Sequence, residues 1–107
     1  MSATFIKPYP LQYEAVPASA TNQILGTSGN TGDYLAGVLI VPGTTAAGAV
    51  SIKDGAGSAI TIFAGGGTTP LTTLIPFFVP IGAASSAGAW QVTTGTNVTA
   101  VGVGFFT

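Results

Sequence analysis

Charge is what this sequence lacks most. Five charged side chains occur in 107 residues, namely Lys7, Glu14, Asp33, Lys53 and Asp54. An ordinary domain of this length would carry about 27, at the usual share of roughly 25%. Two basic residues cannot neutralise a run of phosphates, so nucleic-acid binding is not expected. Cys and His are absent altogether. That removes disulfides, thiolate nucleophiles, imidazole bases, the usual zinc sites and any histidine switch near neutral pH. The first ten residues, MSATFIKPYP, lack the basic start and apolar run of a secretory signal. No uninterrupted apolar stretch reaches the roughly 18 residues of a spanning helix. A transmembrane barrel needs at least about eight strands of ~9–11 residues, more than this chain supplies once its turns are subtracted. No membrane association is expected.

Apolar residues, by contrast, make up 47% of the chain, and the mean hydropathy is +0.61. So apolar a surface, with so few charges, does not suit a free monomer. Much of it is expected to be covered by copies of itself or by another protein. Sixteen Gly and seven Pro punctuate the sequence, and no stretch holds a clean helical period. Short β-branched and aromatic runs alternate instead with turn clusters, every 8–12 residues or so, as in a sandwich or barrel.

Residues 1–18 read as an extended arm, in which Pro8, Pro10 and Pro17 fix φ and remove donors. Residues 19–107 then form one domain, with strands expected near Thr21–Thr27, Tyr34–Val41, Ala49–Lys53, Ser58–Phe63, Leu71–Ile81, Ala89–Thr94 and Val98–Phe106. The clearest hairpin joins Ala49–Lys53 to Ser58–Phe63 through Asp54-Gly55. Pro76 and Pro80 confine Leu71–Ile81 to a sheet edge or a bulge. Trp90 and Val92 alternate with Gln91 as core residues do. The run Tyr34–Val41 is apolar on both faces, with Leu35, Leu39 and Val41 on one and Val38 and Ile40 on the other. Either that strand is central and doubly covered, or one of its faces meets a partner.

No catalytic constellation is visible, and no enzyme activity or cofactor is expected. The three carboxylates do not pair at a useful spacing, and Asp54 reads as a turn residue. Asp33 with Asn30 offers oxygen ligands, but without the run of acidic positions a calcium loop needs. Ser85 and Ser86 have no base to activate them. The glycine clusters at 26–32 and 65–67 carry no Lys-Ser/Thr pair and open no helix, so they are loops rather than phosphate cradles.

The stretch GAVSIKDGAGSAITIFAGG, a proline-broken strand and then AGAWQVTTGTNVTAVGVG resemble small β-sandwich virion proteins of tailed bacteriophages. These are capsid decoration (cement) proteins and related head or tail appendage modules. The resemblance spans about residues 20–106 and rests on general hairpin features. Together with the strand pattern, it implies an all-β, jelly-roll-like antiparallel sandwich of seven to eight strands, and the N-terminal arm at 1–18 is less typical of these proteins. It also implies a homo-oligomer, most simply a homotrimer, docked on the major capsid protein or another virion protein. Such a protein is made in the host cytoplasm without a signal peptide and ends in the virion. A tail-fibre or receptor/glycan-binding module and a tail or neck connector are the alternatives. The residues expected to touch a partner are Phe5, Ile6, Tyr9, Leu11 and Tyr13 of the arm, with Val38 and Ile40 of the apolar strand.

Overall fold

The computed structural model describes residues 11–66 and 74–107. Eight strands follow one another: β1 (Gln12–Val16), β2 (Gln23–Ile24), β3 (Tyr34–Pro42), β4 (Val50–Asp54), β5 (Ile60–Phe63), β6 (Phe77–Ala84), β7 (Trp90–Thr94) and β8 (Val98–Phe105). They form two four-stranded sheets, ordered β1-β8-β3-β6 and β2-β7-β4-β5, and every pairing is antiparallel. Only β4 and β5 are neighbours both in sequence and in a sheet. Every other connection crosses from one sheet to the other. This strand order is that of a jelly roll.

The two sheets meet over a core of Leu35, Val38 and Ile40 from β3, Val98 and Ala100 from β8, Val50 and Ile52 from β4, and Trp90 and Val92 from β7. Val16 and Leu25 complete it from the β1/β2 side. The inward positions of β8 are small because bulky neighbours need the space. A Cβ on Gly102 would meet Leu25 Cδ1 at 2.7 Å, and one on Gly104 would collide with the Tyr34 carbonyl. Hence the larger residues of β8, Val101, Val103 and Phe105, point away from the core.

Three sequence expectations need correction. Residues 12–16 are not part of an arm. They pair with β8 from Gln12↔Gly104 to Val16↔Ala100, and Val16 is fully buried. The prolines on either side do not obstruct this, because a strand at a sheet edge pairs along one side only. Secondly, Leu35 does not share a face with Leu39 and Val41. A bulge between Leu35 and Gly37 shifts the alternation by one residue, so Leu35 joins Val38 and Ile40 on the core face. Thirdly, the strand expected at 71–81 runs as β6 from Phe77 to Ala84. Residues 71–73 of that reading lie outside the described residues. As expected of a proline-bearing strand, β6 lies at an edge.

Polar ties lock the ends of the sandwich. Glu14 accepts hydrogen bonds from Gln23 Nε2 and the Gly26 amide, both at 3.2 Å, which joins β1 to the strand across the core. Thr94 Oγ1 donates to the Pro17 carbonyl at 2.6 Å and accepts from the Ala20 amide at 3.0 Å. Trp90 Nε1 donates to the Asp33 carbonyl at 3.0 Å. The expected Asp-Gly turn leaves Asp54 at the end of β4, with Gly55 at φ 53°.

Candidate functional site

The two outer faces of the sandwich differ in chemistry. On the β2-β7-β4-β5 sheet, outward side chains are mostly polar. Ile24, Gln91 and Lys53 form one row across it, and Thr93, Ser51 and Thr61 another. The β1-β8-β3-β6 sheet is different. One row reads Ala15, Val101, Leu39 and Phe78, and the next reads Tyr13, Val103, Gly37 and Pro80. Thr99 beside Val41 extends the face at one end, and Phe105 beside Tyr34 extends it at the other. None of the described charged residues, Glu14, Asp33, Lys53 and Asp54, lies on it.

The Phe78 ring lies directly over Gly37, where a Cβ would collide with it. Glycine here is a matter of space, since the ring occupies the volume a side chain would need. Tyr13 is 76% exposed and Phe78 47%, while Leu39, Val101 and Val103 at the centre are half-buried by their neighbours. A continuous charge-free apolar face of this kind is uncommon on a free monomer.

The expected partner-contact residues fall into three groups. Phe5, Ile6 and Tyr9 lie outside the described residues. Leu11 and Tyr13 stand exposed at the start of β1, beside the apolar face. Val38 and Ile40 are fully buried between the sheets and cannot touch a partner. On the same strand it is Leu39 and Val41 that face outward. Leu39, Val41, Val101, Val103, Phe78 and Pro80, which build the outer apolar face, were not among the residues expected. The signal was the large/small alternation of β8. With Ala100, Gly102 and Gly104 turned to the core, Val101, Val103 and Phe105 build the outer face.

The polar clusters are engaged in holding loops. The Asp54 carboxylate accepts from the Ser86 amide at 2.9 and 3.0 Å, the Ser86 hydroxyl at 2.9 Å and the Ala87 amide at 2.9 Å. The Ala87 amide, seconded by the Ser86 amide and hydroxyl, holds its pKa below the usual carboxylate value, against an opposing effect of desolvation. Asp33 is buried and takes the Thr107 amide at 3.2 Å and hydroxyl at 2.8 Å. Asn30 Nδ2 donates to the same hydroxyl at 2.9 Å. The loop considered for calcium is therefore tied to residue 107. Among the described residues, no three of His, Cys, Asp and Glu gather where they could hold a metal ion. Trp90 is buried, so it offers no platform for a sugar ring.

No protein-family model, curated protein or solved structure matches this chain.

Proposed function

We propose that this protein is a structural subunit of a virion, a jelly-roll module that decorates or cements the capsid of a tailed bacteriophage. The observation that carries the reading is the contrast between its two faces, one polar and one a charge-free apolar sheet of four strands. A domain with this surface is suited to permanent burial of one side in an assembly, with the other side facing water. The jelly roll is an architecture that viral capsid proteins use, as do lectins and cupins, so the face and not the fold points to the role. Function in this reading is burial itself. Opening the lattice would require separating the apolar contacts that bridge its subunits.

The test is location in an intact particle. Immunogold labelling and mass spectrometry of particles purified from a lysate that produces the protein should find it on the shell. Labelling at a fibre tip, together with binding to host glycans, would replace this reading with a recognition module. Labelling at the neck would make it a connector. Absence from the particles would end the virion reading.

A further inference from the structure

We infer that the apolar face of the β1-β8-β3-β6 sheet is occupied by the same face of a second copy of this chain, related by a two-fold axis. The inference rests on the reading that this face is buried in the assembly, and it names the partner.

Area is the first argument. The longer strands of the sheet run eight to nine residues, and four lie side by side. At strand dimensions of about 3.4 Å per residue and 4.8 Å between strands, the face measures roughly 27 by 19 Å, or about 500 Å². Two such faces bury about 1,000 Å² between them, the lower bound for a specific interface. The exposed Leu11, Phe105 and Tyr34 border the face and extend it.

Charge is the second argument. A two-fold contact places every group of a surface against the same surface, so any charge near the axis meets its own like. This face has none among the described residues. Its polar side-chain atoms are the Tyr13 hydroxyl, exposed at the rim, and the Thr99 and Tyr34 hydroxyls at its two ends. None is at the centre, where Leu39 and Val101 lie side by side in register.

Shape is the third. The Phe78 ring folded over Gly37 fills the gap that the glycine would leave in the aromatic and aliphatic face. Two twisted sheets pack face to face about 10 Å apart, as the two sheets within this sandwich already do. The association would thus add an outer layer built on the same packing as the core.

The test uses the full chain in solution. Sedimentation equilibrium over a concentration series should give twice the chain mass, with a dissociation constant in the micromolar range or tighter. Leu39→Asp, which puts a charge at the centre, should weaken the dimer by at least roughly 100-fold. Ser51→Asp, on the opposite polar face, should leave it unchanged. Should Leu39→Asp fail to fold, Val101→Thr serves in its place, with a smaller weakening expected. The chain has no cysteine, so Leu39→Cys gives a unique reactive site. Sheets about 10 Å apart are too far for a direct disulfide, but a short bis-maleimide should link two copies through Leu39→Cys and not through Ser51→Cys. A protein that stays monomeric, a dimer indifferent to Leu39→Asp, or an oligomer that the Leu39 reagent fails to link would overturn the inference. A free monomer whose attachment to particles is lost in Leu39→Asp would assign the face to a shell protein. That result would reject the second copy while supporting the virion role. A dimer absent from particles would do the reverse.

Discussion

Replacing Val16 by Ala asks whether residues 12–16 belong to the sandwich or to an arm lying outside it. The Val16 side chain is 1% exposed and packs in the core shared by both sheets. Removing two methyl groups forfeits about 1.6 kcal/mol of transfer free energy, at roughly 0.8 kcal/mol per buried group. The cavity left behind adds to this wherever the neighbours fail to close in, which brings the expected loss to about 2–3 kcal/mol. Against a typical total of about 5–15 kcal/mol, that is a large fraction. The assay is urea unfolding followed by fluorescence of the sole tryptophan, Trp90, which is buried in the same core. With a slope of about 1–3 kcal/mol per molar, the midpoint should fall by on the order of 1–2 M. Tyr13→Ala, three residues earlier on the outer face, should move it by less than about 0.5 kcal/mol in stability. Both variants are compared at two protein concentrations, so that any contribution of association is separated from folding. If Val16→Ala leaves the midpoint where it was, β1 is not part of the core. The described pairing with β8 is then wrong.

Three further outcomes are expected. Because its folded pKa is lowered, Asp54 contributes stability that is complete above the unfolded value of about 3.9 and lost as pH falls through the lower folded value. Melting temperatures measured from pH 7 downward should therefore show a shallower acid limb for Asp54→Asn than for the parent, and identical limbs would contradict the loop clamp. Thr94→Val leaves the Pro17 carbonyl and Ala20 amide without their partner and should lose about 1–3 kcal/mol, whereas Thr94→Ser, which keeps the hydroxyl, should lose much less. Gly37→Ala drives a methyl into the Phe78 ring and the Val79 carbonyl and should lower stability by about 1–3 kcal/mol. A Gly37→Ala protein that melts like the parent would show that the ring moves aside freely.

The sequence was most legible where local chemistry and tertiary structure agree. The Asp-Gly hairpin, the inward Trp90 and Val92, and the edge placement of the proline-bearing β6 each follow from a rule that acts over a few residues. It was least legible where a distant partner decides. Nothing near Gln12–Val16 announces that β8 is there to receive it, and two flanking prolines argue for a loose segment. The bulge at Leu35–Gly37 is equally silent, because the shift is defined only against β6 and β8. For that reason Val38 and Ile40 read as contact residues while Leu39 and Val41 did not. The strand expected to stop at Ile81 runs on as β6 to Ala84, through Gly82 at φ 68°.

The crossing of strands between the sheets also has a consequence in time. The central strand β3 takes β8 on one side and β6 on the other, both far along the chain, and β1 waits for β8 as well. During synthesis, β1 and β3 therefore leave the ribosome long before the strand that belongs between them. Only β4 and β5 can zip together as soon as they appear. Closing such long loops before any contact rewards them places the chain among the slow folders, in milliseconds to seconds rather than microseconds. Throughout that interval the apolar residues of β3 are open to the same residues of neighbouring nascent chains. In the proposed role, a protein that adheres in its finished form also passes through a stage in which it can adhere too early.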